Sequence, residues 1–324
     1  MPPVFAVVDG HADVFSKAVE EGLDYLDDAA RFQASLARLS EGGVVLQCAS
    51  IYVPKAFAGE AATLEALRIV GAAEDVARRR GSEYALVKDA AGFRAAARLR
   101  PGDPPRFVLA MEGASPLRGS RTVLKTFLEL GLRVLGLTHN HDNECGDGCF
   151  AKAPKGLTAV GFDLLRAAED GGVILDAAHL NPVAFDQVIA AARGPVVYTH
   201  GGSRALCDVP RNLTDAQALA LAATGGVLGV DVFSGHVTPA GGKGASSDVV
   251  DHLDHWIRLV GPAHVGFGGD FDGIPNVLPG AEHAGCYPAL LEELAARGHE
   301  PCVLRQVASE NWLRVLGGAF GSDS

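Results

Sequence analysis

His11 and Asp13, in the run Asp9-Gly10-His11-Ala12-Asp13, stand two residues apart. In extended backbone two such side chains leave the same face and can reach one metal ion. Glu112 (Met111-Glu112-Gly113), His179 (Asp176-Ala177-Ala178-His179) and His200 (Tyr198-Thr199-His200) each close a further short apolar run. Five such donors exceed the four of a closed structural zinc site. They suit two zinc ions bridged by Glu112, with room for a shared water whose pKa the ions lower towards neutrality. Singly, each residue has a plainer reading: a capping Asp beside a surface His, a hydrogen-bonded interior His, an ion-paired Glu. Their recurrence at one kind of position favours the metal. Asp270, in the glycine-rich run Val265-Gly266-Phe267-Gly268-Gly269-Asp270-Phe271-Asp272-Gly273, is the candidate general base, taking a proton from the attacking water and passing it to a leaving amine. Asp272 reads as a cap of that turn or of the next element. His139 could polarise a scissile carbonyl and stabilise its oxyanion, or simply donate a hydrogen bond to a neighbouring group. Arg211 could clamp a substrate carboxylate with its planar fork, against the ordinary reading of a solvated loop arginine.

These residues need elements that deliver them to one place. Eight apolar or β-branched runs predict strands: Val4–Val8, Val44–Tyr52, Phe107–Met111, Arg133–Leu137, Val173–Asp176, Val196–Thr199, Val227–Val232 and Val265–Gly268. Segments of helical period lie between them, at Asp28–Leu39, Ala61–Arg79, Val123–Leu130, Thr158–Ala168, Pro182–Ala192, Thr214–Ala223, Ser247–Leu259, Tyr287–Arg297 and Cys302–Leu316. Near-continuous apolar strands indicate a parallel sheet buried on both faces, and eight βα units close into a (β/α)8 TIM barrel of the α/β class. The rival, an open doubly wound sheet, lacks a G-x-G-x-x-G turn after its first strand and would not spread polar residues over so many strand ends. No repeat or linker divides the chain, so residues 1–324 are expected to form one catalytic barrel domain. His141–Pro154 and Gly235–Ser247 read as long loops over the site.

Composition narrows the partners. The 324 residues carry a net charge of −11 with no basic stripe, which opposes nucleic acid. No apolar stretch reaches the roughly 20 residues of a spanning helix, and neither an export signal nor a lipid-anchor tail is visible, so a cytoplasmic protein without membrane attachment is expected. Six cysteines without an export signal read as free thiols. Cys145 and Cys149 form C-x3-C but lack a second pair to complete a zinc knuckle.

The motifs D-G-H-x-D, E-G, L-T-H, L-D-x-x-H, T-H-G, R-N and V-G-F-G-G-D-F-D-G, in that order, resemble the membrane (renal) dipeptidases of the amidohydrolase superfamily. The likeness extends to Asp251-His252-Leu253-Asp254-His255 and to Glu310-Asn311-Trp312-Leu313-Arg314-Val315. The resemblance implies a zinc metalloprotease of the dipeptidase kind: His11 and Asp13 on one zinc, His179 and His200 on the other, Glu112 bridging, Asp270 as proton shuttle and His139 as the carbonyl-polarising histidine. It makes Arg211 the anchor of a dipeptide carboxylate, implies tolerance of a D-residue at the second position, and suggests a homodimer. Two departures bear on specificity. Phe233 stands where family members often have a substrate-binding tyrosine, and His141–Phe150 lacks a tryptophan common there. Two rivals remain: hydrolysis of another small substrate (lactone, cyclic amide or phosphoester) on the same scaffold, and a metal-binding member that does not hydrolyse.

Overall fold

The computed structural model describes residues 5–321, Ser82 and Asn276 excepted. Its strands are β1 (Val7–Ala12), β2 (Val44–Tyr52), β3 (Ala85–Leu86), β4 (Arg106–Glu112), β5 (Leu132–Gly136), β6 (Ile174–Asp176), β7 (Val196–Val197), β8 (Leu228–Val230) and β9 (Val265–Phe267). They pair in parallel in the order β7-β6-β5-β4-β2-β1-β9-β8, with β3 attached beside β4. The circle closes between β7 and β8, where Tyr198 bridges to Leu228: Tyr198 N–H donates to Val227 O at 2.9 Å, and Gly229 N–H to Tyr198 O at 2.7 Å. Eight parallel strands with helices between them make the (β/α)8 barrel.

Alternation along the strands builds two apolar layers. Val7, Phe107, Leu109 and Met111 belong to the large core shared with the helices, while Val8, Val108 and Ala110 belong to a smaller one that includes Trp312. Trp312, on the last helix, donates Nε1–H to Phe267 O at 2.8 Å. Its ring fills space that a Cβ at Gly10 or Gly266 would invade, at 2.3 and 2.5 Å.

The sequence expectations depart from the structure in informative places. The first strand runs on to Ala12 rather than stopping at Val8, because β1 has a parallel partner on each side and Asp9 is accepted into the ladder. Gln47 Nε2 and Gly269 N–H donate to the Asp9 carboxylate at 3.0 and 2.8 Å. Val4 lies outside the described residues. The helix expected over Asp28–Leu39 breaks into a 3-10 turn, Ala29–Arg31, and a helix, Leu36–Glu41. Between them the Gln33 and Ala34 N–H groups donate to Asp272 at 2.8 and 3.0 Å, an alternative to helical bonding that a distant carboxylate supplies. The last helix extends over Pro301–Ala319 through a π turn at Gln306–Glu310. Helices at Val14–Glu21, Ala90–Ala96 and Ser234–Val237, the last overlapping the start of an expected loop, were not among the expected ones. Among the described residues no helix is long and apolar enough to cross a membrane.

Candidate metal centre

The C-terminal ends of the strands converge on Glu112, the last residue of β4. Its carboxylate lies 3.4 Å from His11 Nε2, 2.8 Å from His179 Nε2, 3.6 Å from His139 Nε2 and 3.7 Å from His200 Nε2. His11 sits within β1, and its Nε2 is 3.5 Å from Asp13 and 4.0 Å from Asp270. Three overlapping groups therefore have metal-sized spacing: His11, Glu112 and His200; Glu112, His139 and His179; His11, Asp13 and Asp270. The side chains expected from sequence to bind metal are thus brought together, and Asp270 and His139 with them.

Electrostatics set these groups apart from ordinary ones. Burial works to raise the Glu112 carboxyl, but His11, His179 and His139 outweigh it and hold the group well below the usual range. Burial pushes His179 and His200 well below the ordinary imidazole value, with Arg211 adding to it. Burial also lowers His139, the most exposed of the cluster at 30 %. Asp270 is raised well above the carboxylate range, first by burial and then by Asp231, Asp13 and Glu112 against the opposing pull of His11. His11 Nδ1 and Nε2 and Asp13 Oδ1 are buried without a hydrogen-bond partner among the described residues. Buried imidazole nitrogens and carboxylate oxygens gathered at metal-sized spacing are the donor types that zinc takes, so the donor set fits zinc.

The backbone bends sharply to make this possible. His179 and Asp270 adopt left-handed φ values of 64° and 58°. Such a conformation is costly for residues with a Cβ, and it aims both side chains inward. Gly113, at φ 89°, lets the Glu112 turn pass close to the chain at His139: a Cβ there would lie 3.1 Å from the His139 backbone nitrogen.

Other expected residues fall in different places. Arg211 is buried rather than solvated; it donates to the Tyr198 hydroxyl at 2.7 Å and to His200 O at 2.8 Å, and its Nε–H has no partner among the described residues. Phe233 is half-buried with its ring edge-on to His236 at 4.7 Å and is not among the residues lining the cavity beside Glu112. Asp272 caps no turn of its own but binds Lys17 at 3.0 Å besides Gln33 and Ala34. Cys145 and Cys149 are free, and the Cys149 thiol donates to Asn140 Oδ1 at 3.2 Å. That cavity, of about 560 Å³, is lined by Tyr52, Lys55, Arg118, His139 and Asn140 among others. Sequence reasoning missed Tyr52, whose ring lies 4.8 Å from that of His139, and the hydrogen-bond partners Asn140, Thr199 and Asp176. Only Asp176 carried a signal, as a carboxylate ending an apolar run.

The model of the membrane dipeptidase family (peptidase family M19) matches residues 3–320. Dipeptidase 3 of Rattus norvegicus is 31% identical over 326 residues, covering 96% of this chain and 64% of the rat protein. An uncharacterized dipeptidase of Schizosaccharomyces pombe is 33% identical over 211 residues, 64% of this chain and 52% of its own. The chain thus spans about half to two thirds of the length of these two relatives. Among solved structures, a family M19 metallo peptidase, dipeptidase AC, superposes with a TM-score of 0.90 at 28% identity, covering 98% of this chain and 99% of the other. A metallo peptidase from Rhodobacter sphaeroides, bound to a phosphinate mimic of the dipeptide L-Ala-D-Ala, superposes with a TM-score of 0.89 at 26% identity, covering 97% and 99%. With the family model covering almost all of its length, and the donors of the barrel mouth gathered on Glu112, the chain belongs to the membrane dipeptidase family, peptidase family M19.

Proposed function

We propose that this chain is a binuclear zinc dipeptidase that hydrolyses free dipeptides and accepts a D-residue at the second position. The observation that carries the reading is the single buried carboxylate of Glu112 set within 3.7 Å of four histidines. His11 and Asp13 would hold one ion, His179 and His200 the other, and Glu112 both. Zinc, when bound, supplies Lewis acidity, polarising a carbonyl and lowering the pKa of water towards neutrality. Asp270, with its raised affinity for protons, takes the proton of the attacking water and delivers it to the leaving amine. His139, at the edge of the cavity and kept neutral by burial, faces the developing oxyanion. Arg211 holds the substrate carboxylate with its remaining N–H donors, which fixes the scissile bond and limits the leaving side to one residue. Tolerance of a D-residue draws support from the L-Ala-D-Ala mimic bound to the Rhodobacter sphaeroides relative.

The test is zinc content together with hydrolysis of L-L and L-D dipeptides, with N-capped and C-amidated controls. Two ions per chain and cleavage of free dipeptides alone are expected. Equal cleavage of C-amidated substrates would remove the Arg211 clamp, and two ions without dipeptide cleavage would shift the reading to another small substrate.

A further inference from the structure

His179 and His200 turn their Nε2 atoms towards each other at 2.9 Å, both within reach of Glu112 Oε1. An imidazole binds metal through an unprotonated nitrogen, so the position of the ring proton decides whether this pair can hold an ion. On His200 two residues outside the ligand set govern that position. Thr199 has one hydroxyl proton, and its 2.5 Å bond to Asp176 Oδ2 spends it on the carboxylate. The Thr199 oxygen is left as an acceptor for His200 Nδ1–H at 2.9 Å, which leaves Nε2 a bare lone pair facing Glu112 and His179. Asp176 is fixed as an acceptor on its other oxygen, which receives the N–H groups of Ala178 at 2.9 Å and Thr199 at 3.0 Å. On His179 the same job falls to Asn140 Oδ1, 2.8 Å from Nδ1. If Thr199 instead donated to His200, the Nε2 atom would carry the proton and point an N–H where an ion must sit.

We propose that Asp176 and Thr199 form a positioning relay which fixes the His200 tautomer and so sets the affinity of the ion shared by His179 and His200. The inference rests on the zinc reading above and adds to it two residues that touch neither ion nor substrate. It makes an unusual demand of one isosteric change. In Asp176→Asn the amide oxygen can still accept the two backbone N–H groups, while the amide nitrogen takes the place of Oδ2 and donates to Thr199. The Thr199 hydroxyl must then donate to His200 Nδ1, which reverses the polarity of the relay with hardly a change of shape.

The experiment is competition for zinc between the loaded full-length chain and a chromogenic chelator. The wild type is expected to hold two ions. Asp176→Asn is expected to release one of them about 10–100-fold more readily, the scale on which such supporting hydrogen bonds act on metal affinity, and to keep the other unchanged. Thr199→Ser, which keeps the hydroxyl, is expected to hold both as the wild type does. The metal-free Asp176→Asn chain is expected to unfold at the wild-type midpoint, which separates the relay from a role in folding. Wild-type zinc affinity in Asp176→Asn overturns the relay, as does loss of both ions together with a lowered midpoint of the metal-free chain. A wild-type chain that holds no zinc fails the binuclear reading itself, a result distinct from either.

Discussion

Asp270 combines a left-handed backbone with a carboxyl raised far above its usual range, and both follow from its place on the turn after β9, where its N–H donates to His11 O at 3.0 Å. Removing only its proton affinity isolates its role. Asp270→Asn is expected to retain zinc and to lower kcat by about 10²–10⁴-fold, the usual worth of a general base; unchanged turnover with full zinc would remove Asp270 from the mechanism. Arg211 makes a different prediction because its guanidinium is steadied by Tyr198, whose hydroxyl accepts from it at 2.7 Å and donates to Arg211 O at 2.9 Å. Tyr198→Phe is expected to raise KM for free dipeptides severalfold at nearly constant kcat, read from initial rates; an unchanged KM would separate Arg211 from carboxylate binding. At this scale the sequence was legible where chemistry restricts residue type: His11, Glu112, His179 and His200 could be picked out because each ended an apolar run. Of their partners only Asp176 showed at all, as a carboxylate ending an apolar run, and its role did not. Thr199 and Asp176 are ordinary residues whose meaning comes from a bond across 23 positions, and Asp9 meets Gly269 across 260.

Among the elements, the strands near the seam approach closely enough that their glycines leave no room for a side chain. A Cβ at Gly268 would lie 1.7 Å from Thr199 O, whereas one at Gly71, on the helix Glu60–Arg80, meets nothing within 4 Å. Gly268→Ala is expected to cost about 3 kcal/mol, from the backbone shift that overpacking forces, and Gly71→Ala to gain about 1 kcal/mol of helix propensity; urea midpoints measure both. The helix Ser246–Val260 adds a pH dependence. His252 Nδ1 accepts Ser203 N–H at 2.7 Å and its Nε2 lies 3.1 Å from Val237 O, so the ring is held neutral. Burial brings its pKa down to about 4. Between that value and the unfolded one near 6.5 the unfolded chain binds a proton that the folded chain does not. Stability is therefore lost as pH falls through this window, by about 3 kcal/mol in all. His252→Gln, which offers the same acceptor and donor without titrating, is expected to lose less between pH 7 and 4.5; equal losses would acquit the ring. Strand and helix periods were legible in the sequence because each element buries its own face. The break at Gln33 was not, because the carboxylate that receives its N–H comes from Asp272.

For the molecule as a whole, the metal centre is a clasp. Asp13, Glu112 and Asp270 are buried together there, and ions that bind only the folded chain would stabilise it by mass action. Chelation is expected to lower the thermal midpoint, with about 4 kcal/mol regained when free zinc is a thousandfold above its dissociation constant; a midpoint indifferent to zinc would place the ions elsewhere or nowhere. The barrel itself was legible because eight similar units admit few closures, yet the floor was not. Nothing near Trp312 announces that its ring will lie against Gly10 and Gly266. That floor, with the pairing of Asp9 to Phe267, ties β1 to β9 and to the helix that carries Trp312. A ribosome delivers about 5–20 residues per second, so β1 waits, one edge unpaired, until β9 has been made. His11 waits with it for Asp270. The donors of the barrel mouth are thus complete only after β9 has been made, and a nascent chain stalled before β9 would hold its strands begun and His11 without Asp270.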